Sequence, residues 1–470
     1  MEKFAIKLRQ DWYLYLIFLG LLILPNVILS SRLELSFDEA YYWLYSQYLS
    51  WGYFDHPPMV ALSIWLGGFL WGHNEFAVRF MSQVFLVGTI WLCWDLLRPK
   101  KDLLIFFALV FSLPLINFSG IFALPDTPLM FFSALFFWSI KKYLFNDNSL
   151  FSFMVMFSIT GMFYSKYHGL LIVLLTVLAN LDFLKRKSFW FIALGVVALY
   201  FPHMYWQYKH DFVSFQFHLT GRTEKHFDVM NILDYISGQV FLMGFLNFFL
   251  ICFLWYKNRF KDTFERILVF NSFGFLIFLF FMSFRNQIEA NWTISCSLAF
   301  IILMTKYMIP YKKLVLCFAS LSILLVTSFK VILAFPTYFS NINSLEDNRL
   351  NEVVDWKEKK IPAIVELCKD RIVVGDNYQV TAKLAFYLNK SSIPALHLGS
   401  RESHYSILNF QRKIPKDKEI CYLTSKKLED TIKIETGYKD PVYVLPTTTL
   451  EALAQKYEIS YEEITRNRIE

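Results

Sequence analysis

The chain has 470 residues, of which 56% are hydrophobic, 19% aromatic and only 18% charged. Soluble domains carry about 25% charged residues, so this composition excludes an ordinary soluble protein and favours membrane spans. The formal charge of +7 could suggest nucleic-acid binding. However, Lys and Arg collect in short loops between apolar runs, as orientation signals do, and no basic module with stacking aromatic residues is visible. We therefore expect no nucleic-acid partner.

The apolar segments predict a polytopic α-helical membrane protein with about 11 transmembrane helices, since one span takes about 20 mainly apolar residues. The first follows a basic N-terminus and lacks a small-residue cleavage site, which favours a retained span over a signal peptide. Residues 59–72 are apolar but short, and they predict an interfacial or re-entrant piece. The predicted spans are 12–30, 76–97, 103–118, 127–142, 150–164, 168–184, 188–205, 234–256, 264–283, 292–309 and 313–334.

Basic loops set the predicted orientation. The N-terminus carries Lys3, Lys7 and Arg9, which the positive-inside rule places in the cytoplasm. Counting alternately, every later cytoplasmic connection is also basic; these are 98–101, 141–148, 185–187, 257–261 and 306–313. The opposite, outer side then holds 31–75, 119–126, 165–167, 206–233, 284–291 and everything after about residue 335.

Residues 336–470 are more polar and predict a small α/β domain on the outer side, following a membrane domain at 1–335. Short β-rich runs begin at Arg371, Glu419 and Pro441 and alternate with helical stretches. Cys368 and Cys421 lie in this part and could form a disulfide, but the sequence does not supply the required geometry. No CxxC or His-rich spacing indicates a structural zinc site.

The first outer loop begins with an aromatic-rich amphipathic helix whose start carries two carboxylates. Ser36 and Glu39 have the spacing of a capping box, so Glu39 is either a cap or a catalytic residue. Asp38 is favoured in the first turn by the helix dipole, but the cap does not require it, and we predict a catalytic role. Further along, Asp55 and His56 precede a Pro-Pro turn. Such a pair can bind a metal ion or contact a phosphate.

The later outer loops add more charged residues close to the membrane. Asp126 begins a span, where it could be an N-cap or a functional carboxylate. Lys166 lies on the outer side against the positive-inside tendency, which indicates that it holds an anion. Carboxylates suit a general base, while cations suit a phosphate-bearing leaving group. The remaining candidates in these loops are His218, Arg222 and Arg285.

Six motifs in this order resemble the GT-C glycosyltransferases of the protein-mannosyltransferase and aminoarabinose-transferase-like type, families 39 and 83. They are FDEAYYW, GYFDHPP, LPDTP, SKYH, FHLTGR and EANW, and the resemblance covers residues 1 to about 335. It implies a GT-C fold and inverting transfer of a sugar from a polyprenyl-phosphate carrier, such as an undecaprenyl-type one, to an acceptor on the non-cytoplasmic face.

The resemblance also implies roles for individual residues. Asp38 would be the general base or acceptor-orienting carboxylate, and Asp126 the second acidic position, with Glu39 as a further catalytic candidate. In the aminoarabinose-transferase branch, elements at the positions of Asp55 and His218 bracket a metal, but here the motif residues and their spacing differ. The donor phosphate would be held by Lys166, Arg222 and Arg285, with His56 beside them.

We therefore expect an inner-membrane transferase that modifies an envelope glycolipid of the lipid A or core type on the periplasmic face. Protein O-glycosylation by the same chemistry is the nearest alternative. A lipid-linked sugar transporter or flippase is a second, although no inverted repeat is visible. A non-catalytic scaffold would leave the outer charges without a role. The sequence leaves open the sugar, the acceptor, the need for a divalent metal, and whether the C-terminal domain covers the site or selects the acceptor.

Overall fold

The fold is seen in a computed structural model. It describes residues 2–98, 101–221, 227–257, 262–336, 352–398, 400–424, 426–434 and 442–465.

Helices occupy all eleven predicted spans. Up to residue 336 the bounds are α1 Glu2–Arg32, α2 Phe37–Gln47, α3 Met59–Trp71, α4 Glu75–Leu96, α5 Leu103–Ser112, α6 Pro114–Ser119, α7 Asp126–Phe145, α8 Ser149–Ser165, α9 Gly169–Ala179, α10 Lys187–Lys209, α11 Val213–Gln216, α12 Val229–Leu242, α13 Phe245–Lys257, α14 Thr263–Val269, α15 Phe275–Met282, α16 Ile294–Tyr307 and α17 Lys312–Ala334. Within the described residues, five helices are long and apolar enough to cross a membrane by length and composition: Asp11–Arg32, Glu75–Leu96, Lys187–Lys209, Thr263–Met282 and Ile309–Ala334. The total number of spans stays a prediction.

Two of the predicted spans are divided into separate helices at a proline or a glycine. Residues 103–118 divide into α5 and α6 because Pro114 has no N–H to continue the first helix. Residues 234–256 divide into α12 and α13 around Gly244, whose φ is +79°. A Cβ there would lie 2.7 Å from the carbonyl oxygen of Ser112, so only glycine fits this break.

The C-terminal part is a small α/β unit, as the sequence predicts. Its elements are α18 Ile361–Cys368, β1 Ile372–Gly375, α19 Tyr378–Tyr387, α20 His404–Leu408, β2 Ile420–Thr424, β3 Ile432–Ile434, β4 Val442–Thr448, α21 Leu450–Lys456 and α22 Tyr461–Thr465. The strands form one sheet in the order β1-β2-β4-β3, in which β1 is parallel to β2 and the other two pairs are antiparallel. Cys368 and Cys421 form a disulfide that joins α18 to β2.

The aromatic residues of α2 pack beneath this C-terminal unit. Tyr41, Trp43 and Tyr45 are all buried, and Tyr41 lies against Tyr378 of α19 with ring centroids 4.6 Å apart. The same hydrophobic cluster continues into the C-terminal unit through residues such as Phe386. Helix α2 therefore forms where the sequence predicts a helix, and its aromatic side chains belong to one hydrophobic core with the C-terminal unit.

A buried ion pair fixes the position of α2. The Nε and Nη2 atoms of Arg79 donate to the two carboxylate oxygens of Glu39 at 2.6 and 2.7 Å, and both side chains are fully buried. Glu39 also completes the predicted capping box with Ser36 and accepts from the backbone N–H of Ala123 at 2.9 Å. Burial alone would raise the pKa of Glu39, but Arg79 and these N–H donors stabilise the anion and lower it.

We expect Arg79→Gln to lower the free energy of unfolding by about 3 kcal/mol or more, because it leaves the buried carboxylate of Glu39 without its cation. The matched control is Arg98→Gln, which removes an exposed partner of Asp95 and should change little. Thermal unfolding of the two purified variants in detergent measures the difference. Equal melting temperatures for both variants would show that the buried pair does not stabilise the fold.

Candidate active site

A cavity of about 810 Å³ lies where the predicted outer loops meet. Its polar lining comes from the first outer loop, the start of α7, the α8–α9 turn, the segments after α11 and α15, and the segment after α17. These polar side chains are Ser36, Asp38, His56, Asp126, Lys166, His168, His218, Glu289, Asn291 and Glu352. The structure thus brings together residues that lie more than 300 positions apart in the sequence.

Asp126 and Lys166 form the most buried charged pair of the cavity. The Lys166 ammonium donates to Asp126 Oδ1 at 2.8 Å, and the Asn291 amide donates to Oδ2 at 3.0 Å. Asp126 is the first residue of α7 and Lys166 follows the last residue of α8. A carboxylate at a helix N-terminus and a cation at a C-terminus both interact favourably with the helix dipoles. Lys166 is the only Lys or Arg among the described residues that line the cavity.

Asp38 and two histidines occupy another side of the cavity. Asp38 lies in the first turn of α2 and is partly buried. The His56 ring lies 5.5 Å from the ring of Tyr42 and 6.1 Å from that of His218. His218 Nε2 contacts the backbone carbonyl of Asp55 at 2.8 Å, which ties the segment after α11 to the first outer loop. Asp38, His56 and His218 are therefore positioned around one space, as expected for residues that handle one substrate.

Three of the predicted site residues do not line the cavity. The carboxylate of Glu39 is buried in its ion pair with Arg79. Asp55 pairs instead with Arg401 of the C-terminal unit, at 2.9 Å, and accepts from the Tyr45 hydroxyl at 3.2 Å. Arg285 follows α15 and is exposed. A fourth predicted residue, Arg222, lies outside the described residues.

The predicted metal site does not fit these contacts. A divalent cation needs a carboxylate whose charge is available, whereas the carboxylate of Asp55 is already neutralised by Arg401. Among the described residues, no group of three or more His, Cys, Asp or Glu side chains is placed to hold a metal ion. The need for a metal remains a prediction from the resemblance, and no step below depends on it.

The other side of the cavity is apolar and reaches the outside of the helix bundle. It is formed mainly by residues of α9, α15 and α17. Leu170, Leu174, Phe278 and Met282 line the cavity and are also 42–53% exposed. In a membrane, such residues would border the lipid. The cavity therefore has a polar end for charged groups and an apolar side through which a lipid chain could enter.

Sequence reasoning missed two residues of this region that come from the chain after α17. Glu352 lines the cavity, and Arg401 holds Asp55. Neither lies in a recognisable motif, and each contacts its partner across more than 300 residues of sequence. Tyr42 and Trp292 also line the cavity. Their positions inside the FDEAYYW and EANW motifs were the one signal that could have identified them.

Comparisons with known proteins agree with this architecture. Residues 55–206 match the family model described as dolichyl-phosphate-mannose-protein mannosyltransferase. The crystal structure of ArnT from Cupriavidus metallidurans in the apo state is similar with a TM-score of 0.68 and 11% identity, covering 93% of this chain and 98% of that one. The structure of ArnT from the same organism bound to undecaprenyl phosphate gives a TM-score of 0.62 and 11% identity, covering 92% and 97%. No curated protein sequence matches the chain.

The predicted resemblance and the GT-C fold class are confirmed by these matches. The fold likeness to ArnT extends over nearly the whole chain, including the C-terminal unit. The family model that matches residues 55–206 is named for a mannosyltransferase with a lipid-linked donor, in agreement with the predicted enzyme class. Together with the apolar helices, the matches confirm a multi-pass membrane protein.

We expect Lys166→Met to destabilise the protein by about 3 kcal/mol, because it leaves the carboxylate of Asp126 buried without its cation. The double variant Asp126→Asn/Lys166→Met should recover part of that loss, since no uncompensated charge remains. Thermal unfolding in detergent measures both. Lys185→Met, in an exposed pair with Asp182, serves as the control and should unfold like the wild type. A double variant whose loss equals the sum of the two single losses would contradict the pairing.

Proposed function

We propose that the protein is a glycosyltransferase that moves a sugar from a polyprenyl-phosphate carrier to a hydroxyl of an acceptor at the non-cytoplasmic face. The observation that carries this proposal is the two-sided cavity. Its polar end holds Asp38, Asp126 and Lys166, and its apolar side borders the outside of the bundle. The confirmed fold supports it, because ArnT of the same fold has been solved with undecaprenyl phosphate bound.

In the proposed reaction, the acceptor hydroxyl attacks the anomeric carbon of the sugar from the face opposite the phosphate. A new carbon–oxygen bond forms, the bond to the phosphate oxygen breaks, and the configuration inverts. Asp38 accepts the hydroxyl proton, and the polyprenyl phosphate leaves with the bonding electron pair. Phosphate is already a good leaving group, so the protein needs one base and a set of donors for the developing charge.

Lys166 is the proposed main donor to the phosphate. An ammonium group has three N–H donors, so its bond to Asp126 leaves donors for phosphate oxygens. Asp126 then acts by holding Lys166 in place, with Asn291 fixing the other carboxylate oxygen. His56 and His168 line the same end and can each donate a ring N–H to an oxygen anion, whereas the Nε2–H of His218 is used by the carbonyl of Asp55.

An envelope glycolipid of the lipid A or core type is the proposed acceptor, and the bacterial inner membrane with a periplasmic C-terminal unit is the proposed location. The apolar side of the cavity supports an acceptor or donor that enters from the bilayer. The disulfide between Cys368 and Cys421 supports an oxidising compartment for the C-terminal unit.

Protein O-glycosylation is the second candidate, favoured by the family model at 55–206, whose description names a protein acceptor.

We expect Asp38→Asn to abolish transfer while leaving the fold and donor binding intact, because the amide cannot accept the proton. Mass spectrometry of envelope glycolipids would compare wild type, a gene deletion, and deletions complemented with Asp38→Asn or with Asp234→Asn. Asp234 is an exposed carboxylate on α12 and should complement fully. Loss of the same sugar mass in the deletion and the Asp38→Asn strain, at normal protein level, is the expected result. Full complementation by Asp38→Asn would remove the catalytic assignment.

The double variant Asp126→Asn/Lys166→Met should bind undecaprenyl phosphate at least about tenfold more weakly than the wild type, because a charge-assisted contact to the phosphate is lost. Direct binding to the purified, folded protein measures this, and Lys185→Met is again the control. An unchanged dissociation constant in a correctly folded double variant would place the phosphate elsewhere.

A further inference from the structure

The chain after the last membrane helix is fastened to the start of α2. Glu34 lies just before α2, and its carboxylate oxygens accept from the backbone N–H groups of Trp356 and Lys357 at 2.9 and 2.8 Å. The backbone N–H of Glu34 donates in turn to the carbonyl of Val353 at 3.2 Å. Three hydrogen bonds between two short segments thus hold residues 353–357 against the helix that carries Asp38.

This attachment places Glu352 at the N-terminus of α2. The backbone N–H of Phe37 donates to Glu352 Oε2 at 3.3 Å, which puts the Glu352 carboxylate one residue from Asp38. Both side chains line the cavity. The N-terminus of a helix and a backbone N–H donor both favour the ionised form of a carboxylate. The Glu352 carboxylate therefore lies where it can accept a hydrogen bond from a group in the cavity.

The backbone of Glu352 is held from the side of the C-terminal unit. Lys383 of α19 is fully buried and donates to the carbonyl of Glu352 at 2.5 Å. The Lys383 Nζ also lies 5.1 Å from the ring centroid of Trp356 and 5.7 Å from that of Phe37. Lys383 of α19 therefore holds the main chain of Glu352 in a position from which its carboxylate reaches the cavity.

We propose that Glu352 is a second carboxylate of the active site, which accepts a hydrogen bond from a hydroxyl of the acceptor beside Asp38. This inference rests on the proposed glycosyltransferase function and adds a binding role for the C-terminal part of the chain. Asp38 removes the proton from the attacking hydroxyl, while Glu352 orients the acceptor through a neighbouring hydroxyl. A carboxylate has about four acceptor positions, so it can bind a hydroxyl as well as the N–H of Phe37.

Three hydrogen bonds of the attachment do not involve the side chain of Glu352. Glu34 and Val353 supply the three other hydrogen bonds, and the side-chain oxygen of a glutamine at 352 could still accept from Phe37. Glu352→Gln therefore tests acceptor binding with the attachment retained. A matched control is Glu358→Gln, which removes an exposed carboxylate from the same segment.

The test uses membranes that contain the full-length protein and endogenous donor, with a lipid extract of the deletion strain titrated as acceptor. In Glu352→Gln, the half-saturating amount of extract should rise about tenfold, because a hydrogen bond to a charged group is lost. The rate at saturation should change less than about threefold. Glu352→Asp should recover part of the affinity, and Glu358→Gln should match the wild type.

Binding of undecaprenyl phosphate to the purified variants separates this role from a structural one. Glu352→Gln should bind the carrier within about twofold of the wild type. An unchanged half-saturating amount of extract would overturn the proposal, and so would equal losses of carrier binding and transfer, which would indicate a purely structural role. If the wild type transfers no sugar to the extract, the proposed glycolipid acceptor itself fails, and that result is distinct from either outcome.

Discussion

The buried pair between Glu39 and Arg79 is the interaction on which the site depends. Arg79 belongs to α4, yet it donates to the backbone carbonyls of Ser30, Leu33 and Glu34 at the end of α1 as well as to Glu39 of α2. Glu39 reaches a third region through the N–H of Ala123, just before α7. One ion pair thus joins the elements that carry Asp38 and Asp126. Burying two charges costs much desolvation, which the dense set of hydrogen bonds offsets.

The first outer loop is held between the membrane helices and the C-terminal unit. From one side Arg79 fixes α2. From the other, Arg401 binds Asp55, and His404 donates its backbone N–H to the Tyr41 hydroxyl at 2.6 Å. A catalytic group works best when packing and hydrogen bonds restrict its position. The C-terminal unit therefore holds the first outer loop in position at the site.

The two-sided cavity explains why polar chemistry can occur in so apolar a chain. Its charged residues come from loop segments and helix ends, such as Asp126 at the start of α7 and Lys166 after α8, where unpaired backbone groups interact with charge. Its apolar residues come from helix surfaces such as Leu174 on α9 and Phe278 on α15. A substrate with a charged head and a hydrocarbon tail fits this cavity, because its head would contact the polar residues and its tail the apolar ones.

The sequence by itself determined the helices, the predicted orientation and the convergence of Asp38, Asp126 and Lys166. The helices could be predicted because hydropathy reports the free-energy cost of placing each segment in a membrane. The convergence could be predicted because loops on the same side of a helix bundle lie close together. Only the tertiary structure decided which carboxylates face the cavity. Glu39 and Asp55 look like site residues in their motifs, but Arg79 and Arg401 neutralise them from distant parts of the chain. Glu352 has no motif, and it enters the site because backbone contacts across more than 300 residues place it there.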